Sequence, residues 1–153
     1  MKRLVLCVCV GGLLAALPAP AFGFAGNFDY VGHVKGEPTE FVGFFVKHTN
    51  SGRRKVAGFT VSQIPYTCRD APDGTTSGWR FDAKMRVEPD RTFLGTGPWT
   101  GLPLDPYGVV KGKLHRGGTA DGGFKLNGEL AGPDTHCHTH MQDWRAARQP
   151  PPD

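Results

Sequence analysis

The feature that most constrains the fold of this chain is an unbroken alternation of apolar and charged residues over residues 79–88. Trp79, Phe81 and Met85 are among its apolar positions, and charged residues stand between them. Successive side chains of a β-strand point to opposite faces, so the pattern predicts a strand with one buried face and one wet face. Such strands are typical of antiparallel sheets that pack one face on a core.

The rest of the chain contains shorter apolar segments that are separated by turns. Its 153 residues include 22 glycines and 13 prolines, and turn sequences recur between short apolar runs. This arrangement predicts an all-β fold, a single antiparallel β-sandwich or flattened barrel of about 7–8 strands. The predicted strands cover residues 28–35, 40–48, 54–64, 79–88, 91–96, 107–115, 122–130 and 136–148.

The N-terminus has the layout of a secretory signal peptide. Lys2 and Arg3 precede an uncharged apolar run over residues 4–17, and small residues follow. The run is too short for a comfortable membrane span. We therefore expect residues 1–23 to be removed, with the cleavage site at 21–25. The mature protein is then extracellular or associated with the cell envelope, without a transmembrane segment.

The mature chain is expected to form one domain, residues 24–148, followed by a disordered tail at 149–153. Loss of Lys2 and Arg3 leaves 16 of the 18 basic residues against 14 acidic ones. A nucleic-acid binder usually clusters its basic residues on one face, so this near balance predicts no nucleic-acid partner. We also expect a monomer.

Two cysteines remain after processing, Cys68 and Cys137. In a secreted chain the default expectation is that they form a disulfide. The alternative is that Cys137 binds a metal ion together with the histidines around it.

That alternative rests on His136, His138 and His140, which would share one face of a strand. Two such neighbours can reach one metal ion, but the third lies about 13 Å from the first along a strand. Zinc or a similar divalent metal needs three or four ligands. Further ligands would have to come from elsewhere; the candidates are His33, His48, His115 and Asp134. The simpler interpretation is a polar surface run beside a disulfide, with no cofactor.

Catalytic signatures are weak. The mature serines lack a Gly-x-Ser-x-Gly elbow. Asp82 and Glu88 are too far apart on one strand to cooperate as paired carboxylates. We therefore expect a non-enzymatic protein.

The connection from Pro98 to Tyr107 carries two aromatic residues, Trp99 and Tyr107, which are candidates for contacting a ligand. Loop aromatics can stack on a sugar ring or meet a partner protein. They can also fold back as a lid on the end of a sandwich. Trp79 and Trp144 are better explained as core residues.

Short segments over nearly the whole mature chain carry a resemblance to a known group. They are Tyr30-Val31-Gly32, Phe44 to Val46, Lys55 to Phe59, Cys68, Gly112-Lys113-Leu114, Cys137 and Trp144 to Arg148. In these features the chain loosely resembles small secreted all-β proteins of actinobacteria, most of them uncharacterised. The resemblance implies a structural role for the two cysteines and implies no activity.

The sequence therefore predicts a secreted non-enzymatic β-protein that binds an extracellular or cell-envelope protein or glycan through loops or a sheet face. The alternatives are a metal-assisted hydrolase or metal-binding protein that uses His136–His140, and a passive envelope component without a discrete site.

Overall fold

The computed structural model describes residues 28–76, 78–101 and 106–150, and they form an all-β domain. The predicted signal peptide, the cleavage region and the last three residues of the predicted tail lie outside these ranges. Of the two predicted architectures, the structure has the barrel: eight antiparallel strands close on themselves, and short extra strands and one disulfide are added. Among the described residues, none belongs to a helix long and apolar enough to cross a membrane.

The strands are β1 (Tyr30–Val34), β2 (Glu37–His48), β3 (Arg54–Ser62), β4 (Pro65–Cys68), β5 (Gly74–Thr75), β6 (Trp79–Phe81), β7 (Met85–Arg86), β8 (Thr92–Thr100), β9 (Tyr107–Leu114), β10 (Thr119–Gly128), β11 (Cys137–His138) and β12 (Gln142–Arg148). The barrel follows the order β1, β2, β3, β6, β8, β9, β10 and β12, and it closes because β12 pairs with both β10 and β1. β7 pairs with β3 beyond β6, while β11, β4 and β5 continue outward from β10.

Aromatic side chains fill the barrel. Phe59 is fully buried and its ring lies 5.4–6.1 Å from four other rings. Room for these rings comes from glycine: Gly112 and Gly122 lie directly opposite each other, and a Cβ on either would come within 2.8 Å of the Trp144 indole. Small barrels are commonly filled in this way, with large side chains set against small ones. The interior of the barrel is therefore occupied by its own side chains.

The segment that predicted the fold most strongly, residues 79–88, is split into β6 and β7. Its buried and exposed positions alternate as predicted, except that Ala83 is exposed. At the level of the break, β3 carries a bulge at Gly58, with φ +58°. A bulge adds one residue to its strand and locally disrupts the ladder with its neighbours. Beside it, the Asp82 carboxylate pairs with Arg80 and accepts a hydrogen bond from the Thr100 hydroxyl.

Most other strands differ from their predicted bounds by a few residues, and β4 and β5 lie where the sequence predicts no strand. The larger differences are at two strands. The strand predicted at 91–96 continues to Thr100, and the last predicted strand is divided into β11 and β12. Ordered pairing reaches into the predicted tail, since the Gln149 N–H donates to the Asp29 carbonyl at 2.9 Å.

The predicted disulfide is confirmed. Cys68 and Cys137 face each other in the β4–β11 pair, with an S–S distance of 2.02 Å. The bridge joins segments 69 residues apart and links the added strands β4 and β11 to each other, while β11 is joined to the barrel by its pairing with β10.

Candidate anion-binding groove

A surface groove of about 540 Å³ lies where the β2–β3 hairpin meets the loop between β6 and β7. Its lining combines cations with small polar side chains: Lys47, His48, Thr49, Asn50, Ser51, Lys55, Ala57 and Lys84. We call this the cationic groove.

Strand register brings the positive charges together. Lys47 of β2 is directly opposite Lys55 of β3, and Lys55 is directly opposite Arg86 of β7. Like charges at directly opposed positions repel and destabilise a sheet. Three neighbouring strands therefore hold an unfavourable row of cations on the outside of the barrel.

Carboxylates do not relieve this row at its lysines. Arg86 has a partner, Glu88, at 3.6 Å. The ion pairs formed among residues 28–76, 78–101 and 106–150 leave Lys47, Lys55 and Lys84 without a carboxylate within 4.0 Å. Their ammonium groups are available to an external anion.

The hairpin turn forms a polar rim for the groove. The Thr49 N–H donates to the Arg53 carbonyl at 2.8 Å, and the Gly52 N–H donates to the Thr49 carbonyl at 2.8 Å. The Thr49 and Ser51 hydroxyls are 2.9 Å apart, and the Asn50 side chain is exposed beside them. Hydroxyl and amide donors therefore stand next to the lysines.

An aromatic cluster adjoins the groove on the outer face of β2. Phe28, Phe41 and Phe45 form this aromatic trio, with the Phe28 ring centroid 5.7 Å from Phe41 and 5.0 Å from Phe45. Gly43 makes room for it, because a Cβ there would lie 2.8 Å or less from the rings of Phe28 and Phe41. The Lys47 ammonium lies 5.7 Å from the centroid of the Phe45 ring, within cation–π range.

The three histidines predicted as metal ligands have different neighbours: His138 and His140 contact each other, and His136 contacts Asp70. His136 is held by Asp70: its backbone N–H and its Nδ1 each lie 2.7 Å from an oxygen of that carboxylate. The hydrogen bond from the His136 backbone, followed by that with the imidazole, lowers the pKa of Asp70 below its usual value. The rings of His138 and His140 lie edge to face, 5.6 Å apart.

The other proposed ligands do not complete a metal site around these rings. His48 lines the cationic groove, and His115 pairs with Asp121. Within the described part of the chain, no group of three or more His, Cys, Asp or Glu side chains is placed to hold a metal ion. Zinc binding therefore stays a prediction, and the described residues do not place its proposed ligands around one ion.

The two predicted ligand-contacting aromatics lie in different environments. Trp99 belongs to β8 and is fully buried among the rings of the barrel, so the prediction that it lies on a connecting loop is wrong. The ladder continues past Pro98, which pairs with Tyr107, and this carries Trp99 into the sheet. Tyr107 is 58% exposed on β9, and Trp79 and Trp144 are buried as predicted.

The sequence analysis does not predict the cationic groove, although the sequence contains part of the pattern that forms it. Lys47 and Lys55 stand at equal distances from Ser51, so hairpin pairing about that turn would place them opposite each other. The approach of Lys84 depends on the pairing of distant strands and has no local signal.

Comparison with protein-family models, with curated proteins and with solved structures finds no match to this chain. The chemistry of the groove therefore has to be read from its own side chains. Ammonium groups, hydroxyls and an amide at one concave surface are suited to hold oxyanions by charge-assisted hydrogen bonds.

Proposed function

We propose that this protein is a non-enzymatic binding protein of the extracellular space or cell envelope, and that its cationic groove binds an anionic partner. The observation that carries the proposal is the row of Lys47, Lys55 and Arg86 in direct cross-strand register, with Lys84 beside it. A bound anion would relieve the repulsion within that row.

Two features support the extracellular setting. The first is the signal-like pattern of residues 1–23. The second is the disulfide between Cys68 and Cys137, because disulfides persist mainly in oxidising compartments.

The hydroxyls of the groove fit a role in binding. Those of Thr49 and Ser51 share a hydrogen bond with each other and stand as neutral donors beside the lysines.

The test is a titration of the protein with polyglutamate of defined length, at low and at moderate salt. Replacing the groove lysines together, as Lys47→Gln, Lys55→Gln and Lys84→Gln, should weaken binding about tenfold or more. The wild-type affinity should fall as salt is added, because exposed charges are screened.

The matched control removes the same charge from the opposite side of the barrel, as Lys111→Gln, Lys113→Gln and Lys125→Gln. These lysines lie on β9 and β10. The control should keep nearly the wild-type affinity. Equal losses in the two triple variants would mean that only net charge matters, and the groove would not be the site.

A further inference from the structure

The cationic groove and the aromatic trio form one continuous surface. Phe45 and Lys47 occupy successive outward positions on β2. Phe45 is also directly opposite Ala57, which lines the groove. A ligand that lies along the groove therefore reaches the ring of Phe45 without leaving the outer face.

A second cation, Arg80, lies near that ring and pairs with Asp82 at 2.7 Å. Arg80 projects outward from β6, and its Nη2 lies 3.5 Å from the point where a Cβ of Gly58 would be. The ring of Phe45 lies 3.2 Å from the same point. Because Gly58 has no side chain, Arg80 and Phe45 both approach the sheet surface at this point.

We infer that the anionic partner is an acidic polysaccharide, whose sugar rings stack on Phe45 and whose acid groups pair with the groove lysines. A pyranose has an apolar C–H face, which suits a flat aromatic side chain, and hydroxyl edges, which suit the donors of the rim. Its carboxylate or sulfate groups suit Lys47, Lys55 and Lys84. This inference rests on the proposed anion binding and adds the class of ligand.

The shape of the surface favours such a polymer over a lipid membrane. A protein that docks on a bilayer buries protruding apolar side chains at the interface. The three rings of the trio are only partly exposed, and the groove beside them is a recess of about 540 Å³. The large apolar side chains that do protrude among the described residues are Leu94, Tyr107 and Met141, on β8, on β9 and just before β12.

The experiment compares three probes against the full mature protein: polygalacturonate, dextran sulfate and polyglutamate, matched for the number of charges. At least one of the two polysaccharides should bind more tightly than polyglutamate. Phe45→Leu, which keeps an apolar side chain but removes the ring, should weaken that binding about 2- to 12-fold. Phe45→Tyr keeps the ring and should restore it, while neither variant should change polyglutamate binding.

The outcomes distinguish a failure of the polysaccharide inference from a failure of the proposed anion binding. If polyglutamate binds as tightly as both polysaccharides and Phe45→Leu changes nothing, the polysaccharide inference is overturned and anion binding stands. If none of the three probes binds, the proposed function itself fails, and the inference fails with it. Tighter binding to vesicles of anionic phospholipid than to either polysaccharide would also overturn the inference, in favour of a membrane.

Discussion

The two faces of β2 perform opposite tasks within one strand. Val42 and Phe44 point into the barrel and are fully buried among other aromatic side chains. Phe45 and Lys47, on alternate positions, lie on the outer face beside other cations. The inner face is apolar and tightly packed, whereas the outer face holds like charges side by side.

Inward and outward positions of a strand should therefore respond differently to substitution. The barrel interior is filled by its own side chains, so the proposed anion binding relies on the outer face. Substitutions of inward residues should change the free energy of unfolding, and substitutions of outward residues in the groove should change binding.

The largest effect is expected inside the barrel, for Phe59→Ala. Its ring contacts four other aromatic rings and is fully buried, so truncation should lower the free energy of unfolding by about 3–5 kcal/mol. Urea denaturation measures this. Leu94→Ala is the control on the outer face, where a side chain 64% exposed should contribute within about 0.5 kcal/mol. Similar losses of unfolding free energy for both variants would contradict the expected difference between the inner and outer faces.

The disulfide should rank next. Cys68→Ala with Cys137→Ala frees a loop of 69 residues, and the chain-entropy model gives a loss of about 4 kcal/mol. The bridge lies outside the groove, so binding of polyglutamate by the molecules that remain folded should be unchanged. Denaturation of the double variant, compared with the wild-type protein with and without reductant, provides the measurement. An unchanged unfolding midpoint would contradict this prediction and show that the cross-link contributes little to stability.

The sequence could predict much of this fold because local patterns determine it. Alternation over residues 79–88 gave the correct inward side chains of β6 and β7, and turn residues gave the hairpins. The disulfide followed from the count of cysteines in a chain with a signal-like start. None of these inferences required the order of the strands in the sheet.

Three differences from the predictions involve long-range pairing. The break at residues 82–84 lies beside the bulge at Gly58, which belongs to a different strand. Trp99 lies in a segment that the sequence predicts to be a rigid connection, from Pro98 to Tyr107. Pro98 nevertheless pairs with Tyr107 and continues the ladder inward. The candidate groove was missed for the same reason, since Lys84 joins it only in the folded molecule.

The third prediction concerns Glu40, a buried carboxyl side chain on the inner face of β2. Glu40 has the same parity as Val42 and is 5% exposed. Its Oε2 has no hydrogen-bond partner among the described residues. Burial, together with the nearby charge of Glu37, raises the pKa of Glu40. The unfolded chain therefore releases this proton at lower pH than the folded protein does, and the contribution of Glu40 to stability falls as pH rises.

Glu40→Gln should remove that loss. Its stability relative to wild type should increase from about pH 4 to pH 7, and pairs of urea titrations at each pH measure this difference. Glu37→Gln is the control, because Glu37 is exposed and acts on Glu40 only through its charge. Its gain should be smaller. A stability difference between Glu40→Gln and wild type that is independent of pH would contradict the assignment.

The smallest change in stability, and the most direct test of the comparison, is expected from Lys55→Gln. Lys55 lies between Lys47 and Arg86, so its removal relieves repulsion on both sides and should raise the free energy of unfolding by about 0.2–1 kcal/mol. The same substitution removes a donor from the groove, so the affinity for polyglutamate should fall. Lys111→Gln is the matched control: Lys111 is opposite Leu94 and Gly123, and its loss should change neither quantity. If the row of cations binds an external anion, Lys55→Gln should raise the free energy of unfolding and lower the affinity for polyglutamate. A decrease in both quantities would mean that Lys55 supports the sheet.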